Sequence, residues 1–188
     1  LPSGMPDREY SKAHFQQLLF ERDLESDGST LPDNYAMSVR DYFHEISNGK
    51  LEVYGGNESI VDWTTVGHDY SYYVDGKQGT GQAPDDINYA QSAAALVVEI
   101  AMEVRSDLDF SNFDGNEDGV VDVVMLIVEG WGNGDNDQFW PHMSTIPSSI
   151  ISDFDIDNDG FLEFNGVSIL KYIVIPEQFH MDYFGVGE

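Results

Sequence analysis

Two short acidic loops of the same design set the terms on which this chain can fold. Phe113-Asp114-Gly115-Asn116-Glu117-Asp118-Gly119-Val120-Val121-Asp122 carries oxygen side chains at relative positions 1, 3, 5 and 9, with Gly119 at position 6, where the chain must turn sharply. Phe154-Asp155-Ile156-Asp157-Asn158-Asp159-Gly160-Phe161-Leu162-Glu163 repeats the pattern, and Asp114 stands as far from Asp155 as Asp122 does from Glu163. Alternate residues along such a turn aim their oxygens at one centre, and the carbonyl at position 7 (Val120 or Phe161) adds another. Carboxylates held this close repel, by about 4 kcal/mol per pair at ~4 Å and an effective dielectric of ~20. Ca²⁺ relieves that repulsion, because it accepts roughly six to eight oxygens in loose geometry where Mg²⁺ demands a tighter octahedron. Asp114, Asn116, Asp118, Val120 and Asp122 therefore read as one calcium site, and Asp155, Asp157, Asp159, Phe161 and Glu163 as a second. Their default role is structural. Solvated Asp/Asn/Gly turns are the plainer alternative, but the repeat and the apolar segment after each loop argue for a cation. Neither loop is a full EF-hand. Position 12, a bidentate Glu there, is Met125 in the first loop and Gly166 in the second. The missing ligands come from elsewhere in the fold or from water.

Charge narrows the partners. The 188 residues hold 8 Lys and Arg against 35 Asp and Glu, a formal net charge of −27. Phosphate recognition depends on Lys and Arg, so a nucleic-acid binder is excluded, and docking on anionic membranes is disfavoured. No stretch approaches the ~18 apolar residues of a membrane span. The most apolar run, Val120 to Val128, already carries Asp122. Cysteine is absent, which removes disulfides and thiolate metal sites and suits a secreted protein that relies on metal ions for rigidity. A hydrophobic share of 41% supports a packed core. The expectation is one domain over residues 1–188, monomeric. The start at Leu1 rather than Met suggests a piece of a longer precursor.

Periodicity places the elements. Tyr10 to Arg22 is amphipathic at helical spacing. Ser38 reads as the N-cap of a helix over Val39–Ile46, stopped by Asn48-Gly49, and Lys50–Tyr54 alternates as a short strand. Residues 55–88 are loop-like. Asp85-Asp86 open a helix from Ile87 to Arg105, with an apolar face wide enough to be buried on a sheet. Val120–Val128 has the β-branched density of a central strand. Gly166–Ile175 reads as another, closed by Pro176. Helices mixed with at least three strands indicate an α/β or α+β sheet.

Ready-made catalytic motifs are missing from these residues. His14, His44, His68, His142 and His180 are scattered, and no H-E-x-x-H, G-x-S-x-G, Walker loop or dinucleotide fingerprint occurs. Glu129, at the end of the central strand, is the one acid singled out, with a water-facing strand end as its plain reading.

The order of motifs nonetheless resembles a known family. Ser38-Val39-Arg40-Asp41-Tyr42-Phe43-His44-Glu45-Ile46-Ser47-Asn48-Gly49-Lys50-Leu51 is similar to the S-V-R-D-Y-F-x-E-x-S-x-G-x-L segment of the secreted bacterial immune-inhibitor-A-like metallopeptidases. Asp109-Phe110-Ser111-Asn112-Phe113-Asp114, continued to Asp122, resembles that family's D-F-S-x-Y-D-x-N-x-D-G-x-V-D. Phe139-Trp140-Pro141-His142 resembles I-W-P-H, and Ile175-Pro176-Glu177 with Phe184-Gly185-Val186-Gly187 resembles the approach to the zinc helix. The resemblance covers about residues 10–188. It departs at Val128-Glu129-Gly130, where the family has H-A-G.

The resemblance implies a zincin-type twisted mixed β-sheet with backing helices and calcium-binding loops, in the amino-terminal part of a catalytic domain. It implies a secreted, extracellular zinc metallopeptidase acting on peptide or protein substrate. Zn²⁺ belongs to the full-length parent only, because H-E-x-x-H is expected after Glu188, and residues 1–188 alone are expected to be inactive. There, zinc would polarise the scissile carbonyl and the motif Glu would activate water. An edge strand would align extended substrate by backbone pairing, with Glu129, Gly130 and Trp131 as its expected position. The alternative is a non-enzymatic calcium-binding extracellular module. Residues 38–51 and the helix over 87–105 argue against it, since such a module needs neither.

Overall fold

The computed structural model of this chain describes residues 10–22, 37–83, 86–87, 89–132, 136–154 and 162–179. They fall in two compact units, one spanning Glu9–Thr64 and the other running from Thr65 onward.

In the first unit, helix α1 (Lys12–Phe20) starts at Ser11, whose hydroxyl accepts from His14 N–H. Phe15 is buried between the edges of Tyr10 and Trp63, and Trp63 Nε1–H donates to the Tyr10 carbonyl at 2.9 Å. Helix α2 (Val39–Ile46) begins at Ser38 as expected, with Asp41 N–H donating to the Ser38 hydroxyl at 3.1 Å. It ends on Asn48 and Gly49, both at positive φ, where Gly49 N–H donates to the His44 carbonyl at 2.8 Å. The strand expected at Lys50–Tyr54 is not formed. Leu51 N–H turns back to the Ser47 hydroxyl at 2.8 Å, and no strand among the described residues pairs with it.

Glu52 ties this unit together. Its carboxylate accepts from Arg22 beyond α1, and from Arg40 Nε at 2.8 Å and His44 Nδ1 at 2.9 Å, both on α2. The Arg40 hydrogen bond leads in holding its pKa below the ordinary 4.5, against the opposing effect of desolvation. A lowered folded-state pKa means stabilisation that is present above the unfolded carboxyl pKa and lost as pH falls through the folded one. Acid unfolding of this unit, followed by Trp63 fluorescence in a Trp131→Phe/Trp140→Phe background, is therefore expected to show a limb below pH 4.5 that Glu52→Gln flattens. An unchanged acid limb in the variant would remove Glu52 from that role.

The second unit opens with the short helix α3 (Tyr70–Val74) and a minimal hairpin of β1 (Gln82–Ala83) and β2 (Asp86–Ile87). Helix α4 (Ala93–Val104) starts later than its sequence suggests. The buried Ser92 is the N-cap, taking Ala95 N–H, while Ile87 is used in the hairpin. The expected wide apolar face is present, since Ala93, Ala94, Leu96, Val97, Val98 and Ala101 are all buried.

The sheet follows. Strand β3 (Met125–Gly132) pairs in parallel with β7 (Lys171–Phe179), and β4 (His142–Thr145) pairs antiparallel with the other side of β7, giving the order β3-β7-β4. Between them lie helix α5 (Ser148–Phe154) and the hairpin of β5 (Glu163–Phe164) and β6 (Val167–Ser168). Leu126 and Val128 of β3 and Tyr172 and Val174 of β7 face the core, and α4 packs against β7.

Two strand boundaries differ from expectation for physical reasons. Val120 is no part of β3, because the chain there is held by β6: Val121 N–H donates to the Ser168 carbonyl at 3.0 Å, and Ser168 N–H to that of Gly119 at 2.8 Å. The stretch Gly166–Ile175 is not one strand: Asn165 and Gly166 (φ +55 and +82) form the hairpin turn between β5 and β6, and Ile169 and Leu170 then separate β6 from β7, with Ile169 N–H donating to the Leu162 carbonyl at 3.3 Å. Nor does Pro176 close β7. Tyr172 and Val174 direct their backbone toward β4, so the N–H that Pro176 lacks would fall past the last paired residue, His142.

Candidate functional site: an acidic loop and an open sheet edge

The first acidic loop folds as an inward-facing turn. Asp122 N–H donates to the Phe113 carbonyl at 2.8 Å and closes it, while Gly115 N–H donates to Asp122 Oδ2 at 3.1 Å. Asp118 N–H reaches Asp114 Oδ1 and Asn116 Oδ1, each at 3.0 Å. Gly119 N–H reaches Asp114 Oδ2 at 2.8 Å, and Val120 N–H reaches Asp118 Oδ1 at 3.0 Å. Glu117 and Gly119 supply the bends at φ +59 and +81. Thus Asp114, Asn116, Asp118 and Asp122 all turn their oxygens toward the interior of one turn. The donor set is entirely oxygen, which suits Ca²⁺ in kind and suits zinc poorly.

Both ends of this loop hang on the β5–β6 hairpin. Phe110, buried just before it, lies 5.1 Å from the Phe164 ring and donates its N–H to Asn165 Oδ1 at 3.2 Å. Gly119 and Val121 hold Ser168, which itself pairs with the exposed Glu163. Glu163 therefore stands one strand away from the exit of the first loop. Asp155, Asp157, Asp159 and Phe161 lie outside the described residues. Among the described residues no three His, Asp or Glu side chains gather into a ready-made metal site. The loop oxygens are instead turned to backbone N–H groups.

The sheet presents two outer edges among the described residues. Ile173 N–H donates to the Val124 carbonyl at 2.8 Å, and Ile146 N–H to that of Leu170 at 2.9 Å. Alternation along each strand then fixes the rest. In β3 the backbone groups of Met125, Ile127 and Glu129 point away from β7; in β4 those of Met143 and Thr145 do. Strand β3, expected to be central, is thus an outer strand among the described residues, and Glu129 lies on its edge. Just beyond it the register with β7 shifts between Val128 and Trp131, and the buried Gly130 sits at φ +101. The three expected residues therefore form a bulge at the end of the edge rather than a regular ladder.

Strand β4 was not legible as a strand, yet its approach is held by several hydrogen bonds. Phe139 is buried, with its N–H donating to the Tyr70 hydroxyl at 2.9 Å. Trp140 N–H donates to the Gln78 carbonyl at 3.1 Å, and Gln78 N–H to that of Asn136 at 3.0 Å. The Trp140 carbonyl takes a bond from His142 Nδ1 at 2.7 Å. A carbonyl can only accept, so Nδ1 carries a proton, and Nε2 is in hydrogen-bond contact with the Tyr172 hydroxyl at 3.2 Å. Burial pushes Tyr172 up to about 12, so that hydroxyl remains a donor at neutral pH.

A mixed sheet backed by a long apolar helix, with an antiparallel outer strand and an acidic loop at its side, has the architecture of a zincin-like peptidase domain. Residues 2–184 match the catalytic domain of the immune inhibitor A peptidase M6 family, and the chain belongs to that family. Its class is therefore that of the metallopeptidases, whose substrates are peptides or proteins. Comparison with curated protein sequences yields no match. No helix among the described residues is long and apolar enough to cross a membrane.

Proposed function

We propose that this chain is part of a secreted, calcium-stabilised zinc metalloendopeptidase that hydrolyses peptide bonds in extracellular proteins. The observation that carries the reading is the family match over residues 2–184. Zinc in such an enzyme polarises the scissile carbonyl and supplies a water nucleophile at neutral pH. This chain's part is to build the sheet and to align substrate. Calcium would be held by Asp114, Asn116, Asp118, Asp122 and the Val120 carbonyl, and in the second loop by Asp155, Asp157, Asp159, Glu163 and the Phe161 carbonyl. It would neutralise carboxylates that otherwise repel and would pin the loops to the β5–β6 hairpin.

Extended substrate adds as a further strand to an outer edge, where backbone pairing gives affinity and alternate side chains give specificity. Glu129, Gly130 and Trp131 are one position for it. Strand β4 is the second and the more regular. It has no bulge, it directs two residues' backbone groups outward, and Met143, Ser144 and Thr145 are all exposed. The enzymatic reading is tested on the full-length parent. Cleavage of an unfolded protein substrate is expected to stop with 1,10-phenanthroline and to return with added zinc. Cleavage that survives the chelator would overturn it.

A further inference from the structure

Trp140 combines a bolted backbone with a presented side chain. Its N–H and carbonyl are both taken, by Gln78 and His142, and Phe139 before it is anchored under Tyr70. Pro141 stiffens the next step of the chain. Nevertheless, 41% of Trp140 is exposed, two residues before an edge strand whose Met143 is 72% exposed. A large aromatic on a flexible loop loses backbone and side-chain freedom when it binds a ligand; one whose backbone is already fixed loses only the side-chain part. Exposed aromatics are among the residues that dominate recognition surfaces.

Resting on the reading that extended peptide adds to β4, we propose that Trp140 determines specificity: its indole is the wall against which an aromatic or large apolar substrate side chain packs. Side chains alternate along a strand, so His142 and Ser144 share one side of the sheet with the buried Tyr172, and Trp140, two residues before the strand, is joined to that side by the His142 ring, which donates to its carbonyl at 2.7 Å. A peptide strand laid along the outward groups of Met143 and Thr145 sends every second side chain to that side. The one that passes the start of β4 meets the indole.

The test is binding of two fluorescein-labelled hexapeptides to the 188-residue chain in excess calcium, at peptide-binding concentrations up to millimolar. The peptides are identical extended Thr/Val sequences with Phe or Ala at one position, scanned along the peptide. The wild type is expected to prefer Phe over Ala by about five- to tenfold at one register. Trp140→Ala brings that ratio to about one, and Trp140→Phe restores most of it. Thr145→Pro and Met143→Pro each remove an outward N–H without taking a ladder bond from β7, and both are expected to abolish binding of either peptide, with unchanged circular dichroism as the fold control. Loss of binding in the proline variants with an unchanged Phe-to-Ala ratio in Trp140→Ala would overturn the role of Trp140 and leave the edge reading standing. Binding that survives both folded proline variants, or no binding by the wild type, would overturn the edge reading and the proposal with it.

Discussion

Adding EGTA to the calcium-saturated chain is expected to lower its thermal midpoint by about 10–20 °C. A ligand present at ~100 times its dissociation constant contributes about 2.7 kcal/mol per site, so the two proposed calcium sites would contribute roughly 5 kcal/mol together. A chain of this size loses about 2–4 °C of Tm per kcal/mol. Asp114→Ala should remove about half of the EGTA response, since Asp114 is the first side chain of its loop and its two oxygens already organise Asp118 and Gly119. That variant also loses two hydrogen bonds in the metal-free state. The informative quantity is therefore the calcium-dependent difference in Tm, not the Tm itself. Magnesium at the same concentration should replace little of the effect, because it resists a site with this many protein oxygens. A wild-type shift below about 2 °C on chelation would mean that the acidic loops are ordinary solvated turns.

The second large effect concerns packing. Gly79→Ala is expected to destabilise the unit from Thr65 onward by roughly 2–4 kcal/mol, or about 5–15 °C in Tm. Gly79 sits at φ +74, in a turn where Asp75, Gly76, Gln78 and Gly81 also have positive φ. A Cβ there would come within 2.3 Å of the buried Phe139 ring, which is itself edge-on to Tyr70. The backbone of Gly79 bridges elements as well, taking Ala93 N–H at 2.8 Å and giving its own to Val74. Because the clash is with one ring, Phe139→Leu should offset part of it. The double variant is expected to be more stable than the two single losses predict when added. A Gly79→Ala protein within about 2 °C of the wild type would contradict the packing of Phe139 onto this turn.

What could be read from the sequence follows from how local its determinants are. Helix α2 was legible to the residue, because a Ser cap, an apolar stripe and an Asn-Gly stop are all written within a dozen positions. The apolar face of α4 was legible as well; its start was not. Two acids at 85–86 suit a helix N-terminus in isolation, but Ser92 competes as a cap and Ile87 pairs with Gln82. The Asn165-Gly166 pair is among the strongest short hairpin signals and marks the start of β6, but the break between β6 and β7 at Ile169 and Leu170 rests on a long-range bond from Ile169 N–H to the Leu162 carbonyl. Nothing local announces β4. His142-Met143-Ser144-Thr145 has no alternating apolar pattern, because an outer strand with exposed side chains is under no pressure to carry one. Pro176 looked like a terminator, and only the end of β4 explains why it is tolerated inside β7.

The same distinction separates the parts of the site. The turn of the first acidic loop was legible because its Asp/Asn/Gly pattern is consecutive, and its carboxylate and amide oxygens accept from the loop's own backbone N–H groups. The dependence of that turn on the β5–β6 hairpin is long-range, through Phe110, Gly119, Val121 and Ser168. The apolar run before Glu129 reads as a central strand, and an edge at Glu129 came only as what the family resemblance implies; the bulge beyond it required the register with β7. The holding of Trp140 from both sides depends on Gln78 and His142, residues that no spacing rule connects.

The central claim is that these residues serve a zinc metallopeptidase, and the most direct measurement is to read the coding sequence onward from the codon for Glu188. The account predicts an H-E-x-x-H within about fifteen residues, on a segment with helical periodicity, so that both histidines fall on one face. A stop codon there, or a polar linker without the motif, would contradict it and leave an acidic sheet domain with no catalytic centre of the proposed kind.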